Sequence, residues 1–322
     1  MILLTGATGF LGRYIADELL AAGYELRLLV RHAAQRKLPW GGMAEIAEGD
    51  LTDLPSLEDA VRGADAVVHA AARVSFRRRD AQAVMQDNVQ GTAHLVDLCL
   101  EHRIPKLVYV SSIAACGRSR TEAITEQTPW QPGQESSAYA RSKRKAELEV
   151  QRGVAEGLQA AIVNPAVILG AGDWTQGTPR LFSAIDRGLP LYNPGINGWV
   201  AAADVARACR LLLEQDLPSG ERYLLSAGNH SYREVLGWIA AALGKPAPRV
   251  PLPRPLGLLA GWAAESAADL AGREPFVTLE TMRSGSLSYR YDGSKITRLG
   301  FAYTPVQEAV RAAAAQYLAR NS

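Results

Sequence analysis

The 322-residue sequence lacks the features that usually mark secreted, membrane-spanning or nucleic-acid-binding proteins. Its three cysteines, Cys99, Cys116 and Cys209, are odd in number and have no metal-site spacing, which argues against a disulfide framework and favours a reducing compartment. No stretch of about 18 consecutive apolar residues occurs, so we expect no membrane span. The net charge of +2 gives no electrostatic basis for binding nucleic acid.

The N-terminus also leaves little room for a targeting segment, because a strand-like run, ILLTG, begins at residue 2. We therefore predict a cytoplasmic protein with neither a membrane nor a nucleic-acid partner, and without a metal site. Hydrophobic residues make up 48% of the chain and charged residues 21%, a balance typical of a folded globular protein rather than a disordered one.

What the sequence does contain, over its first 170 residues, is an alternation of short apolar runs with amphipathic stretches. This alternation is typical of βαβ units, whose strands form a parallel sheet covered on both faces. Right-handed crossovers then give an α/β fold of the Rossmann type, a doubly wound parallel sheet that binds its ligand at the carboxyl ends of the strands. We also predict a helix over 81–101, one strand over 160–170 and, within 199–215, a helix entered near Asp204.

A glycine-rich loop, TGATGFLG (5–12), joins the first predicted strand to the first predicted helix. Glycines at such a junction let the backbone approach a pyrophosphate, and the helix start adds unpaired N–H groups and the positive end of the helix dipole. Because the loop opens a βαβ series, it predicts a dinucleotide site rather than a plain glycine turn. The loop residues expected at the cofactor are Gly6, Thr8, Gly9, Phe10, Leu11 and Gly12.

The end of the second predicted strand bears on which dinucleotide is bound. An acidic residue there would bind the ribose 2′-hydroxyl of NAD(H), whereas an arginine would favour the 2′-phosphate of NADP(H). Arg31 stands at this place and Arg36 follows, with no carboxylate nearby. We expect NADP(H) in preference to NAD(H), the alternative being a basic surface cluster. Asp50, after the third strand, is either an acceptor for the adenine amino group or the cap of a turn.

The regular alternation ends near residue 170, where segments rich in Gly and Pro begin. We divide the chain into a dinucleotide-binding domain, residues 1–169, and a smaller, mainly substrate-binding C-terminal lobe, residues 170–322. One more buried strand is predicted at 221–228, so a stretch of about 199–228 is expected to rejoin the first domain.

Two Tyr-x-x-x-Lys motifs occur, Tyr139–Lys143 and Tyr291–Lys295, and their spacing alone does not distinguish a catalytic pair from a solvated helix face. Gly293 disfavours a helix that would place the side chains of Tyr291 and Lys295 on the same face. We interpret the second motif as structural, at the start of a helix.

In their order along the chain, the motifs resemble the extended short-chain dehydrogenase/reductase family. The matching segments are TGATGFLG (5–12), GDLTD (49–53), HAAA (69–72), NVQGT (88–92), VYVSS (108–112), YARSK (139–143) and NPAVILG (164–170). The resemblance implies that Ser112, Tyr139 and Lys143 are the catalytic residues, and that Tyr139 and Lys143 also contact the cofactor. It implies further cofactor contacts from Leu51, Ala70, Ala71, Ala72, Pro165 and Val167.

The resemblance leaves the reaction open, because family members include reductases, sugar epimerases and dehydratases. The segments 164–173 and 193–204 lack the arginine-containing patterns common in nucleotide-sugar enzymes, and are closer to the dihydroflavonol-reductase-like branch. We expect an NADP(H)-dependent oxidoreductase acting on a ketone or secondary alcohol of a weakly polar small molecule. The alternatives are a nucleotide-sugar epimerase or dehydratase and a non-catalytic cofactor-sensing module. Relatives are commonly dimers, so a homodimer is an expectation.

Overall fold

A computed structural model of the protein describes residues 1–33, 38–131, 133, 137–270 and 278–320. Its main feature is a seven-stranded sheet in which every neighbouring pair of strands is parallel. The strands are β1 (Ile2–Thr5), β2 (Leu26–Val30), β3 (Glu45–Glu48), β4 (Ala66–His69), β5 (Leu107–Val110), β6 (Ala160–Pro165) and β10 (Glu221–Leu225). Their order is β10-β6-β5-β4-β1-β2-β3. Starting from β1, the chain adds β2 and β3 on one side and then β4, β5, β6 and β10 on the other, as in a doubly wound fold.

The helices of the described residues are α1 (Phe10–Ala21), α2 (Leu54–Val61), α3 (Ala81–Met85), α4 (Gly91–Glu101), α5 (Ala138–Ala155), α6 (Arg180–Asp186), α7 (Ala202–Glu214), α8 (Tyr232–Leu243), α9 (Arg254–Leu270), α10 (Leu279–Gly285) and α11 (Val306–Ala319). Of these, α1 and α7 pack on one face of the large sheet, and α2, α4 and α5 pack on the other. None of the helices in the described ranges is long and apolar enough to cross a membrane.

Alternation along β1 shows why its residues form a central strand. Ile2 and Leu4 pack into the cluster shared with α1 and α7, whereas Leu3 packs into the cluster shared with α2, α4 and α5. Because both faces are buried, every position of the strand is apolar or hydrogen-bonded, as a parallel sheet requires. The predicted fold class is confirmed.

The predicted helix over 81–101 forms, with one irregular turn. Between α3 and α4, residues Gln86–Gln90 take the wider π-helical conformation. This turn contains Asn88, whose side chain is buried. Such turns are frequent at functional sites because they reorient a side chain within an otherwise regular helix.

The structure corrects two predicted elements. The single strand expected over 160–170 is two strands: β6 ends at Pro165, and β7 (Val167–Leu169) belongs to a second sheet. That sheet has the order β11-β9-β7, with β9 at Ile196–Ala201 and β11 at Gly228–Ser231. The stretch 199–215, predicted as a helix entered near Asp204, is helical from Ala202 in α7, because Trp199 and its neighbours pair with β7 and β11.

The stretch after residue 199 returns to the large sheet. β10 pairs with β6, and α7 packs beside α1, where Arg210 Nε lies 2.7 Å from Glu18 Oε1. A separate apolar cluster, which includes Phe182, Trp199 and Val310, joins β7 and β9 to α6, α8 and α11. Two short strands, β8 (Leu191–Tyr192) and β12 (Val250–Pro251), also pair with each other in parallel.

Candidate active site

The glycine loop between β1 and α1 is packed so closely that it requires glycine. Gly6 has a φ of +79°, and a Cβ at this position would lie 2.5 Å from the backbone N of Ala71. A Cβ on Gly12 would lie 2.0 Å from the carbonyl oxygen of Gly6. Gly9 precedes α1 without capping it through a side chain. The exposed backbone and the helix N-terminus therefore fit a pyrophosphate.

A cleft opens beside this loop, across the carboxyl ends of β1 to β4. Nine residues predicted to contact the cofactor line it: Gly6, Thr8, Gly9, Arg31, Asp50, Leu51, Ala70, Ala71 and Ala72. Four residues that were not predicted also line it: Leu29, Gly49, Arg73 and Asp87. The cleft has the position and the lining expected of a dinucleotide site in a doubly wound sheet.

Four further residues predicted to contact the cofactor are not among those that line this cleft. Phe10 and Leu11 form the first turn of α1, Pro165 ends β6, and Val167 begins β7. Arg36 lies outside the described residues.

Arg31 and Asp50 face each other across the outer part of the cleft. Arg31 Nη1 lies 3.5 Å from Asp50 Oδ2, and 55% of the arginine side chain is exposed. Asp50 Oδ1 accepts hydrogen bonds of 2.8 Å from both the backbone N–H and the hydroxyl of Thr52. Partial burial acts to raise the pKa of the Asp50 carboxyl, but these hydrogen bonds and Arg31 together hold it below its usual value. Asp50 thus caps a turn and also lines the cleft.

Tyr139 and Lys143 lie one turn apart on α5, which Ser137 begins by accepting a hydrogen bond from the N–H of Ala140. Residues four apart on a helix share a face. Lys143 is only 2% exposed; its Nζ donates to the carbonyl oxygen of Val110 at 2.7 Å. Burial lowers the pKa of Lys143 to about 7, and the neighbouring Glu147 acts in the opposite direction.

Ser112 follows β5 and meets Tyr139. Its Oγ accepts a 3.1 Å hydrogen bond from the N–H of Ala114, which starts a short 3-10 helix over Ile113–Ala115. The Tyr139 ring packs edge-on against Phe76, with 5.4 Å between ring centroids. Burial raises the pKa of the Tyr139 phenol, while the neighbouring Ser112 hydroxyl acts to lower it. The structure therefore brings the three predicted catalytic side chains to one place.

The second Tyr-x-x-x-Lys motif has different surroundings. Tyr291 is buried and accepts a 2.9 Å hydrogen bond from Arg118 Nη1. Lys295 lies in a 3-10 helix over Ser294–Leu299, pairs with Glu221 and donates to the carbonyl oxygen of Arg222. The two side chains have separate partners: Lys295 holds this C-terminal segment to β10, whereas Tyr291 binds Arg118, which lies between β5 and α5.

Two polar residues near Tyr139 and Lys143 were not singled out from the sequence. Asn88, in the π-helical turn, accepts from the N–H of Arg73 at 2.7 Å and donates to its carbonyl oxygen at 3.0 Å. Asn88 therefore fixes the loop that follows β4. Glu147, one turn after Lys143 on α5, is fully buried. Its four-residue spacing from Lys143 was visible in the sequence, but its burial was not.

No cluster of three or more side chains suited to a metal ion occurs within the described part of the chain. The residues present fit a dinucleotide instead, since the loop needs glycine at Gly6 and Gly12 and the cleft follows the strand ends.

Comparison with known proteins identifies the family. Residues 2–226 match the model of the NAD dependent epimerase/dehydratase family. The chain is 30% identical over 316 residues to a protein named putative dihydroflavonol 4-reductase from Synechocystis sp., a match that covers 95% of this chain and 91% of that protein. It is 33% identical over 254 residues to sterol demethylase protein B from Methylococcus capsulatus, covering 78% and 77%.

The fold is similar to solved structures over its whole length. The crystal structure of gox2253 matches with a TM-score of 0.85 and 32% sequence identity, covering 99% of this chain and 98% of that one. The chain therefore belongs to the NAD dependent epimerase/dehydratase family, within the extended short-chain dehydrogenases/reductases. It is an NAD(P)-dependent enzyme of that type, so the predicted family is confirmed.

Proposed function

We propose that the protein is an NADP(H)-dependent reductase or dehydrogenase that interconverts a ketone and a secondary alcohol at Ser112, Tyr139 and Lys143. The observation that carries this proposal is a buried lysine one helical turn from a tyrosine whose phenol lies beside the Ser112 hydroxyl. We assign cofactor binding to residues 1–169 and substrate binding mainly to residues 170–322.

Each of the three side chains has a separate task. A bound nicotinamide supplies the hydride in reduction and accepts it in oxidation. In reduction, Tyr139 donates its phenolic proton to the substrate oxygen as the carbonyl carbon gains hydride, and in oxidation Tyr139 takes that proton back. Ser112 donates a hydrogen bond to the same oxygen and fixes its position. The ammonium of Lys143 stabilises the phenolate that the proton transfer leaves behind.

Two observations support a weakly polar substrate. The Tyr139 phenol is flanked by the ring of Phe76, and an aromatic neighbour favours an apolar group beside the reacting oxygen. Two relatives are named as a dihydroflavonol reductase and a sterol demethylase protein. We therefore propose a cyclic ketone or alcohol with little charge as the substrate class.

The first experiment to test this function identifies the nucleotide that the purified protein carries. After denaturation, mass spectrometry is expected to find NADP(H) below one equivalent, exchangeable with added cofactor. Absorbance at 340 nm should then show net NADPH oxidation with hydrophobic ketones. One equivalent of tightly held NAD, with no net consumption, would contradict the reductase and favour an epimerase or dehydratase, since those reactions return their hydride within each turnover.

Arg31→Ala tests the cofactor preference. We expect the Kd for NADPH to rise by about 10-fold or more, since a charge-assisted hydrogen bond contributes about 1.5–3 kcal/mol. The Kd for NADH should change by less than about twofold, because NADH lacks the 2′-phosphate. Titration of intrinsic fluorescence measures both constants. Arg62→Ala is the matched control, because Arg62 is an exposed arginine that pairs with Glu58 on α2. An equal loss for both cofactors would contradict the assignment.

A further inference from the structure

Glu147 is a buried carboxylate on the same face of α5 as Tyr139 and Lys143, eight and four residues after them. Its side chain is 0% exposed. A carboxylate in such a place is costly unless other groups compensate for its lost hydration. Glu147 Oε1 lies 2.7 Å from Arg222 Nε, and 3.6 Å from Arg144 Nη1. The ion pair with Arg222 joins α5 to β10.

The other carboxylate oxygen reaches the end of β5. Glu147 Oε2 accepts a 2.7 Å hydrogen bond from the hydroxyl of Ser111 and a 2.8 Å hydrogen bond from Asn164 Nδ2. Asn164 Nδ2 also donates to the backbone carbonyl oxygen of Ser112 at 3.1 Å. The carboxylate thus holds both residues of the turn from which the Ser112 hydroxyl projects.

We propose that Glu147 is a positioning residue for the reaction: through Asn164 it fixes Ser112, and its buried negative charge, one helical turn from Lys143, favours the ammonium of that lysine. This inference rests on the function proposed above for Ser112, Tyr139 and Lys143. Glu147 touches neither substrate nor cofactor in this scheme. Its effect reaches the chemistry through the two side chains that it orients or charges.

The electrostatic part follows from the surroundings of Lys143. Burial acts against the ammonium, and Glu147 is the group that opposes this effect by raising the pKa of Lys143. Among the described residues, the titratable or charged groups around Lys143 and Glu147 include Tyr139 and Arg144 on α5, His69 on β4, Tyr109 on β5, Cys116 after β5 and Arg222 on β10.

These neighbours do not supply a second negative charge near neutral pH. Burial and the charge of Lys143 lower the pKa of His69 to about 3, so its ring is neutral. Burial raises the pKa of Cys116 to about 12, and it raises that of Tyr109 as well, so both remain protonated. Glu147 is therefore the negative charge that stabilises the ammonium of Lys143 in this cluster.

Removing that charge has a definite sign. Burial lowers the pKa of Lys143 to about 7 and Glu147 acts against this, so without Glu147 the ammonium of Lys143 is lost at a lower pH. Because the ammonium stabilises the phenolate that reduction leaves on Tyr139, the kcat for ketone reduction should fall off at a lower pH than in the wild type.

The test is the pH dependence of kcat for ketone reduction with saturating NADPH. In Glu147→Gln we expect the fall of kcat with rising pH to move down by about one pH unit. At pH 7 kcat should therefore be about 5-fold lower than in the wild type and recover toward lower pH, while KM for the ketone stays within about twofold. Glu149→Gln is the matched control, because Glu149 lies on the same helix and pairs with Arg152 at the surface.

Three outcomes are distinguishable. A pH profile of kcat at its wild-type position in Glu147→Gln overturns the inference, as does a kcat that falls equally at every pH. Full turnover in Tyr139→Phe overturns the proposed function instead. Should Glu147→Gln fail to fold, the double variant E147M/R222M carries the same expectation, because apolar residues of similar volume often replace a buried ion pair without loss of stability.

Discussion

Replacing Tyr139 by phenylalanine is expected to lower kcat by about 10³-fold while leaving the Kd for NADPH within about twofold of wild type. The change removes only the phenolic hydroxyl, the group that exchanges a proton with the substrate, and general acid-base catalysis contributes about 10²–10⁴-fold. The ring keeps its packing against Phe76, so the cleft should retain its shape. Steady-state kinetics and a fluorescence titration of NADPH measure the two quantities.

The chain itself supplies the matched control, because Tyr291→Phe makes the same chemical change in the second Tyr-x-x-x-Lys motif. Tyr291 loses the hydrogen bond from Arg118, so the free energy of unfolding should fall by about 1 kcal/mol. Its kcat should stay within about twofold of wild type. Full activity of Tyr139→Phe would contradict the proposed role of Tyr139, and equal losses in the two variants would point to an effect through the fold.

Gly12→Ala is expected to have the other large effect, on both stability and cofactor binding. The added Cβ would lie 2.0 Å from the carbonyl oxygen of Gly6 and 2.9 Å from Ala7 Cα. Both are backbone atoms, so the loop itself must shift to relieve the overlap. Overpacking of this kind typically costs about 1–3 kcal/mol. We expect the Kd for NADPH to rise at least about 100-fold, since the shifted loop no longer presents its N–H groups to a pyrophosphate.

Urea denaturation and a cofactor titration measure these two effects, with Gly237→Ala as the control. Gly237 lies within α8, where a Cβ would meet nothing within 4 Å. Alanine there should stabilise the protein by about 0.5–1 kcal/mol because it restricts the unfolded chain. Normal NADPH affinity in Gly12→Ala would show that the loop does not hold the pyrophosphate.

The large sheet was predictable because its signals are local. Each strand is a short run buried on both faces, and each crossover helix has an apolar stripe, so four to twelve residues suffice to recognise an element. Gly6 and Gly12 were predictable for the same reason: a strand, a glycine-rich turn and a helix follow one another directly.

The second sheet was not predictable, because its strands depend on partners distant in sequence. Val167–Leu169 continues the apolar run of β6, and only its pairing with β9 separates the two strands. Trp199–Ala201 precedes an alanine-rich helix whose start is marked locally by Asp204, but no local feature shows that these three residues form a strand. Burial of Trp199 between β7 and β11 decides its conformation, and tertiary packing of this kind overrides local preference.

The candidate site was predicted in part. Ser112, Tyr139 and Lys143 were recognised from motifs, and the structure places them together, although their roles stay predictions. The supporting network around Glu147 was missed, because Arg222 belongs to β10 and joins Glu147 only after the sheet is complete. The sequence of a helix with mixed charges does not show whether a carboxylate such as Glu147 faces solvent or the core.

The late position of β10 in the chain has a consequence for synthesis on the ribosome. β6 ends at Pro165, but the strand that covers its outer edge ends at Leu225, about 60 residues later. At roughly 5–20 residues per second, the edge of β6 therefore has no partner strand for about 3–12 s. An unpaired edge of apolar residues can bind a strand from another nascent chain. The protein is thus most exposed to aggregation in this interval, before the ribosome has delivered its seventh strand.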